Sequence, residues 1–488
     1  MPSGAILAVL IVYGIVLLAI GFWSSRGSGS VAGYYVADKS LRSWVVAFSS
    51  NATGESAWLL LGLTGMGYLV GIHALWIVLG EVVGVALAWV FVGLRFKTYT
   101  DRYDSITVPD YLETRFRDTR HILRLVSVTI LLTMVTFYTA AQLTASGKTF
   151  NSFLGTSYQA GVLIGLAFIL FYTIVGGFKA VAYNDVLHGV LMFSGLFVLP
   201  IVGIAAVGGW GELTARLHAL DPQLLEPMGK LGWSAAGIAS AVGFVGIGLA
   251  FLATPQLLIR FISARNRQEI IQGSVIAVIC IVVFDLGAVF AGMAGRVLFD
   301  GLADPETILP TMSAELFPPV FTGLFMVVVL AAIISTVDSL LILASSALVR
   351  DLLQKVFAPG LSDRQFSMIG RLTTAVVGFG ALALALQEVR IVFWFVLFAW
   401  SGIGSAFGPV VLCSLFWKRT TRAGAIAGML AGFLATVLWV LWFKELFYDL
   451  YEMIPGFAAG FAATIGVSWF TRPPEGAGED MDEVASAS

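Results

Sequence analysis

The sequence predicts an all-α polytopic membrane protein, and three observations predict it. Of 488 residues, 58% are hydrophobic and 12% are charged, about half the charge of an ordinary soluble domain. Thirteen apolar runs approach the ~20 residues that cross a hydrocarbon core as a helix. They cover roughly 5–23, 43–70, 74–94, 125–147, 160–178, 186–208, 234–261, 271–297, 318–347, 367–386, 391–416, 423–443 and 454–471. The loops between them alternate in charge. Those after runs 1, 3, 5, 7, 9 and 11, with the tail, hold 22 of the 28 Lys and Arg. The opposite loops hold only Lys148, Arg216, Lys230, Arg296, Arg390 and Lys444. Basic loops stay cytoplasmic. The skew predicts an N-terminus outside and a C-terminus in the cytoplasm, in a bacterial-type inner (plasma) membrane.

Taken in order, the first run has no basic residue before it and Arg26 after it. A signal peptide has the opposite arrangement, so 5–23 reads as a retained helix. The second run carries Ser49-Ser50-Asn51-Ala52-Thr53-Gly54-Glu55-Ser56 at its middle. Lipid tolerates irregular backbone only where protein buries it or it lines a wet cavity. A small, polar, acidic interruption therefore reads as a binding site on a broken helix, although small residues also serve helix packing. The loop Arg95–Arg124 is the most basic. It predicts a short interfacial helix after Pro109 and a role in anchoring topology.

The seventh run repeats the irregularity, with Gly243, Gly246 and Gly248 followed by Thr254-Pro255. Glycines loosen a helix and proline removes a backbone donor. Interrupted segments at matching places in two halves point to an inverted-repeat transporter, with halves at about 43–208 and 234–416. The ninth run places Ser335, Thr336 and Asp338 within one turn. Those oxygens suit a hard cation, or bond back to their own helix. Residues 1–472 read as one transmembrane transporter domain. The acidic, small-residue segment 473–488 reads as a disordered cytoplasmic tail.

Four carboxylates read as deep: Glu55, Glu81, Asp285 and Asp338. A charge at the bilayer centre costs about 2.5–3.5 kcal/mol. No Lys or Arg reads as mid-helix to neutralise them, which points to traffic of Na⁺ or H⁺. Several classes are excluded. A net charge of −2 offers nucleic acid no basic surface. Cys280 and Cys413 sit in apolar runs and the four His have no metal-ligand spacing. There is no GxxxxGK[ST] for ATP, and no HExxH or GxSxG. The chain reads as a carrier, with no enzymatic activity, no organic cofactor and no obligatory protein partner beyond its solute and the bilayer.

Several segments together resemble the sodium:solute symporter family, most of all its proline-carrying branch, over nearly the whole chain. They are Ser56–Leu63, Val108-Pro109-Asp110-Tyr111 with Arg115-Phe116, Tyr172–Val181, and Ala399–Pro409. The resemblance implies a LeuT-type fold of five plus five inverted repeats and Na⁺-coupled symport of a small organic solute, proline or another amino acid, by alternating access. It implies a sodium site from Ala52, Glu55 and Ala332 backbone with Ser335 and Thr336 hydroxyls. Asp185 and Asp338 would serve a second ion or its release. The solute would touch Asn51, Ser56, Ala57, Tyr138, Gln142, Ile247 and Phe251. Three positions depart from the family. An acid that proline carriers place at Gly54 is here displaced to Glu55. An indole of the seventh helix is lost, since Ile247 and Phe251 stand at the aromatic pair. Lys39 replaces an Arg. Two other readings stay open: a proton-coupled carrier of a small carboxylate, and a solute-sensing membrane module.

Overall fold

The structure, a computed structural model, describes residues 4–24, 31–358, 360–387 and 391–486, without the side chains of 24, 171–176, 363, 364, 367, 485 and 486. Arg26 and Arg390 of the charge count, and the Tyr172–Gly176 side chains of the first signature, lie outside that description. Helices are the only extended elements among the described residues; a single parallel bridge joins Leu41 to Ala264. Eleven helices among them are long and apolar enough to span a bilayer. Backbone groups in hydrocarbon must be satisfied within their own segment, which is what a helix does.

The thirteen runs map onto these helices with two mergers of definition. Runs two and three fall in one stretch, Ser43–Arg102, folded back at Gly71. Gly71 has φ 57°, and a Cβ there would lie 2.0 Å from the Leu224 carbonyl oxygen, so the turn requires glycine. Run five appears as the shorter apolar helix Tyr158–Leu170, continuous with Gly177–Val207 across a kink at Gly177 (φ 63°, ψ 176°). Eleven spans, not thirteen, meet the length and hydropathy needed.

The core wraps two helices in particular. Pro319–Ser346 and Val392–Phe416 are buried along most of their length, whereas Gly4–Ser24 and Arg422–Leu438 show apolar side chains outward. The core is apolar with polar side chains buried in it, and Leu, Val and Phe also face outward, as in a bundle solvated by lipid.

The basic loops gather at one end. The expected interfacial helix is present as Val108–Phe116, with Thr107 accepting the Asp110 N–H as its cap and Pro109 in the first turn. Arg124 binds Asp110 (2.7 Å), Glu113 (2.7 Å) and Asp351, which locks this loop to the end of the long Pro319–Ser346 segment. The disordered tail expected over 473–488 is a departure. Ala477–Ser486 is a helix. Its acids meet the basic end: Asp480 pairs with Arg102 (2.9 Å) and Arg117 (3.4 Å), Asp482 with Lys418, and Glu483 with Arg102. Acidic composition argued for a solvated chain, but the complementary charges lie 64 to 381 residues away in sequence.

Candidate ion and solute site

The helix Ser43–Ala57 breaks at Ser56, whose backbone sits at φ 57°, ψ −171°. Non-glycine residues reach this region only when neighbours hold them there, at a cost of about 1–3 kcal/mol. Two contacts do so. Ser56 Oγ accepts the Trp58 N–H at 3.1 Å, and Gln142 Oε1 accepts the Ala57 N–H at 3.1 Å. The polar stretch read from sequence is thus a true corner, and every residue from Ser49 to Ala57 is buried.

Pro319–Ser346 packs against the N-terminal side of that corner. Ser335 Oγ lies 2.9 Å from the Ala52 carbonyl and 3.1 Å from the Ala332 carbonyl. Thr336 Oγ1 donates to the Thr53 carbonyl at 3.2 Å. Thr53 Oγ1 returns to the Ser335 carbonyl (3.3 Å) and to Ser339 Oγ (3.0 Å). Ala52, Ala332, Ser335 and Thr336 are therefore brought together as an all-oxygen cluster, the ligand chemistry a hard cation takes. Glu55 is not part of it in the same way. Its carbonyl accepts the Trp58 N–H, and its carboxylate lies with Glu81 and Asp285.

One buried base was missed. Arg260, fully buried, donates from Nε to Ser49 Oγ (3.2 Å), and from Nη2 to Thr53 Oγ1 (2.7 Å), Asp185 Oδ2 (3.2 Å) and Ser339 Oγ. Nη1 takes the Gln256 carbonyl at 2.6 Å, and the guanidinium covers the Phe178 ring at 5.1 Å. Ser49 Oγ also donates to Asp185 Oδ2 at 2.6 Å. Asp185, which was not counted among the four deep acids, is buried as well and is paired with this base. Arg260 sits in the last turn of the seventh apolar run, where a charge count takes it for a loop anchor. Asp338, also buried, lies one residue before Ser339 on the same helix. The guanidinium and the hydroxyls all meet Asp185 at Oδ2, and its Oδ1 has no hydrogen-bond partner.

The break in the seventh run is real as well. The helix Ala235–Gly246 tightens to a 3₁₀ stretch over Ile247–Leu252, leaves helical geometry at Ala253, and restarts at Pro255. Its glycines have a second use. A Cβ on Gly248 would stand 1.9 Å from the Gly80 carbonyl, and one on Gly84 would stand 2.2 Å from the Gly248 carbonyl. The two backbones touch.

Between the two breaks lies a small cavity, about 10 Å³, lined by Gly54, Glu55, Trp58, Glu81, Tyr138, Ile247, Phe251, Val396, Leu397 and Trp400. That is room for a single water at most, so the pocket is closed around its centre. Tyr138, Ile247 and Phe251 line it as expected. Ser56, Ala57 and Gln142, also expected there, do not line it; they meet at the corner, where Gln142 accepts the Ala57 N–H. Asn51 does not reach it: its side-chain amide donates to the Ala277 carbonyl at 2.8 Å and faces the next helix. Trp58 and Trp400 were missed as lining residues. Trp400 meets Phe251 edge-on at 5.1 Å and donates its indole N–H to the Ile247 carbonyl at 3.1 Å. The indole lost from the seventh helix is thus supplied by the eleventh run, inside the second signature segment. A larger vestibule of about 480 Å³ shares Ile247 and Leu397 with this cavity and runs past Val70, His73, Phe244 and Tyr451.

Residues 34–432 match the model of the sodium:solute symporter family. The chain belongs to that family. It is 37% identical over 471 residues to the high-affinity proline transporter PutP of Bacillus subtilis, covering 95% of this chain and 98% of that one. It is 32% identical to the osmoregulated proline transporter OpuE of the same organism, covering 95% of this chain and 94% of OpuE. It is 33% identical to a sodium/proline symporter of Staphylococcus aureus, covering 96% of this chain and 93% of that one. In fold it is similar to the substrate-bound, outward-open structure of a Na⁺-coupled sialic acid symporter, at a TM-score of 0.82 and 19% identity, with 96% of this chain and 99% of that one covered. A nucleobase-cation-symport-1 family transporter follows at 0.59 and 13%, with 92% and 98% covered. The protein is a multi-pass, sodium-coupled secondary transporter of a small organic solute, with an all-α membrane fold like that of the sialic acid symporter.

Proposed function

We propose that this chain carries proline or a similar small amino acid inward with Na⁺, and that one Na⁺ binds where the Ser43–Ala57 helix breaks. The observation that carries the reading is the pairing of Ser335 with the Ala52 carbonyl and of Thr336 with the Thr53 carbonyl. Each hydroxyl that now donates to a carbonyl can rotate, offer its lone pair to a cation, and leave that carbonyl as a ligand too. The ligands are Ala52, Ala332, Ser335 and Thr336, with the Glu55 carbonyl added if the Trp58 N–H lets go. Asp185, held by Arg260, and Asp338 serve the inner release path.

The solute sits in the cavity of Trp58, Tyr138, Ile247, Phe251 and Trp400, with Ser56, Ala57 and Gln142 at the neighbouring corner. The relatives' proline specificity supports a compact ring, which this aromatic wall suits. No Lys or Arg lines the cavity, so the solute carboxylate is taken by N–H groups at the broken helix. Thirteen membrane helices in a five-plus-five inverted repeat, with breaks at Ser56 and Ala253, fit the paired interruptions. The N-terminus lies outside. In that frame the vestibule opens outward and the basic loops and tail face the cytoplasm. Each Na⁺ entering a negative interior gains about 2.3 kcal/mol per 100 mV, which drives solute accumulation.

The test is uptake of labelled proline into proteoliposomes. We expect uptake to need an inward Na⁺ gradient. In Ser335→Ala/Thr336→Ala, half-saturation by Na⁺ should rise at least about tenfold, the smaller of the usual losses for altered ion sites. Equal uptake with K⁺ in place of Na⁺ would sink the coupling site. Na⁺-driven uptake of a different solute, with none of proline, would sink only the solute.

A further inference from the structure

The helix-break cluster does not use the side chains of Glu55, Glu81 or Asp285. They come from three segments: the broken helix, the helix Leu75–Leu87, and the helix Arg267–Leu298. One carboxylate oxygen of each lies within 4.8 Å of the others. All three residues are at most 1% exposed. Both oxygens of Glu55, both of Asp285 and one of Glu81 have no hydrogen-bond partner. Among the described residues, none of the three has an ion-pair partner. Glu55 and Glu81 also line the solute cavity.

Buried polar atoms are ordinarily satisfied, so five orphaned oxygens in one place ask for a missing partner. Three carboxylates this close do not all ionise without a counter-charge. The spacing fits one ion: oxygen ligands at about 2.3–2.6 Å on opposite sides of a hard cation stand about 4.6–5.2 Å apart.

We propose that Glu55, Glu81 and Asp285 form a second cation site of this transporter, which takes Na⁺ beside the solute cavity and separately from the site at Ser335 and Thr336. The proposal rests on sodium coupling and not on the identity of the solute. Because Glu55 and Glu81 face both the ion and the cavity, occupancy changes the charge that the solute meets. The site therefore couples ion to solute through shared residues. The displaced acid at Glu55, odd for the family, becomes the ligand that brings the broken helix into this site.

The experiment is Na⁺ titration of purified full-length protein, with K⁺ keeping ionic strength constant and thermal unfolding as the readout. Bound ²²Na⁺ per chain is counted alongside. The wild type should show two saturable components and more than one Na⁺ bound. Glu81→Gln/Asp285→Asn should remove one component and leave the other. The same variant should unfold at a higher temperature than wild type in Na⁺-free buffer, because unpaired acids are gone; an ordinary structural acid would show the reverse. Ser335→Ala/Thr336→Ala should remove the opposite component, which separates failure of this proposal from failure of the first site. Should the double variant misfold, Glu55→Gln and the wild-type ²²Na⁺ count still decide. A single component abolished by Ser335→Ala/Thr336→Ala overturns the proposal. So does a count of one Na⁺, or a cluster that responds to pH or to Ca²⁺ and not to Na⁺.

Discussion

Two groups of buried acids lie within the same bundle and are handled in opposite ways. Asp185 is met at Oδ2 by Arg260, Ser49 and Thr53, so the chain itself supplies its base, although its Oδ1 has no hydrogen bond. Glu55, Glu81 and Asp285 are left with unsatisfied oxygens and no base. The difference teaches where the protein needs a charge held permanently and where it needs one exchanged. A guanidinium cannot leave, so it fixes structure; a mobile cation can, so its vacancy is available to a transport cycle. Coulombic cost alone would have paired both groups.

The largest effect should come from breaking the closed group. Arg260→Met removes one partner of a buried, hydrogen-bonded pair, a change that typically costs about 3–5 kcal/mol. We expect a large loss of thermal stability and of folded yield. Adding Asp185→Asn should recover part of it, since the stranded charge goes too; no recovery would mean that Arg260 acts through packing on Phe178 instead.

A smaller effect should come from the wall beside the open group. Gly248→Val places carbons where the Gly80 backbone lies, and overpacking of this kind costs about 1–3 kcal/mol. Glu81 follows Gly80, so the Na⁺ component of the open group should weaken with stability. Unfolding temperature and Na⁺ titration on one sample check both. If Na⁺ response is unchanged at reduced stability, the open group is not tied to this contact.

The smallest effect belongs to the periphery, which acts as a control. Burial raises the Asp480 carboxyl, but the Tyr103 hydroxyl and the Arg102 and Arg117 guanidiniums outweigh it and hold it below the ordinary carboxylate range. A depressed carboxyl gives stability that is present above its unfolded value and lost as pH falls through its folded value. The tail helix should therefore stay docked at neutral pH and release only in acid below about pH 4, the ordinary Asp value. Hydrogen exchange over 477–486 measures it, and at neutral pH neither Na⁺ component should move when Asp480→Ala loosens the tail.

Much of this was legible in the chain because membranes make polarity conspicuous. Ser49 to Ser56 stood out against lipid-soluble neighbours, and the corner is there. Ser335 and Thr336 stood out likewise. Arg260 was hidden by position: one basic residue at the end of an apolar run looks the same whether it faces the loop or turns inward. Asn51 was placed in the right segment and the wrong direction, since a helix face is decided by neighbours and not by residue type. Trp400 lay in a signature segment, yet its replacement of a lost indole needed the contact between two remote helices. The tail failed for the same reason as Arg260. Its partners, Arg102, Arg117 and Lys418, are invisible to local composition.

Ser56 bears one more consequence. Glycine at that corner would swivel, since its dihedrals are cheap to change. A serine whose hydroxyl accepts the Trp58 N–H, beside an Ala57 N–H held by Gln142, has no low-cost neighbouring conformation to slip into. The corner behaves as a rigid bracket, and its angle is a constant of the machine. Whatever opens and shuts around it must do so by carrying the bracket whole, so the motion falls on the contacts that surround it.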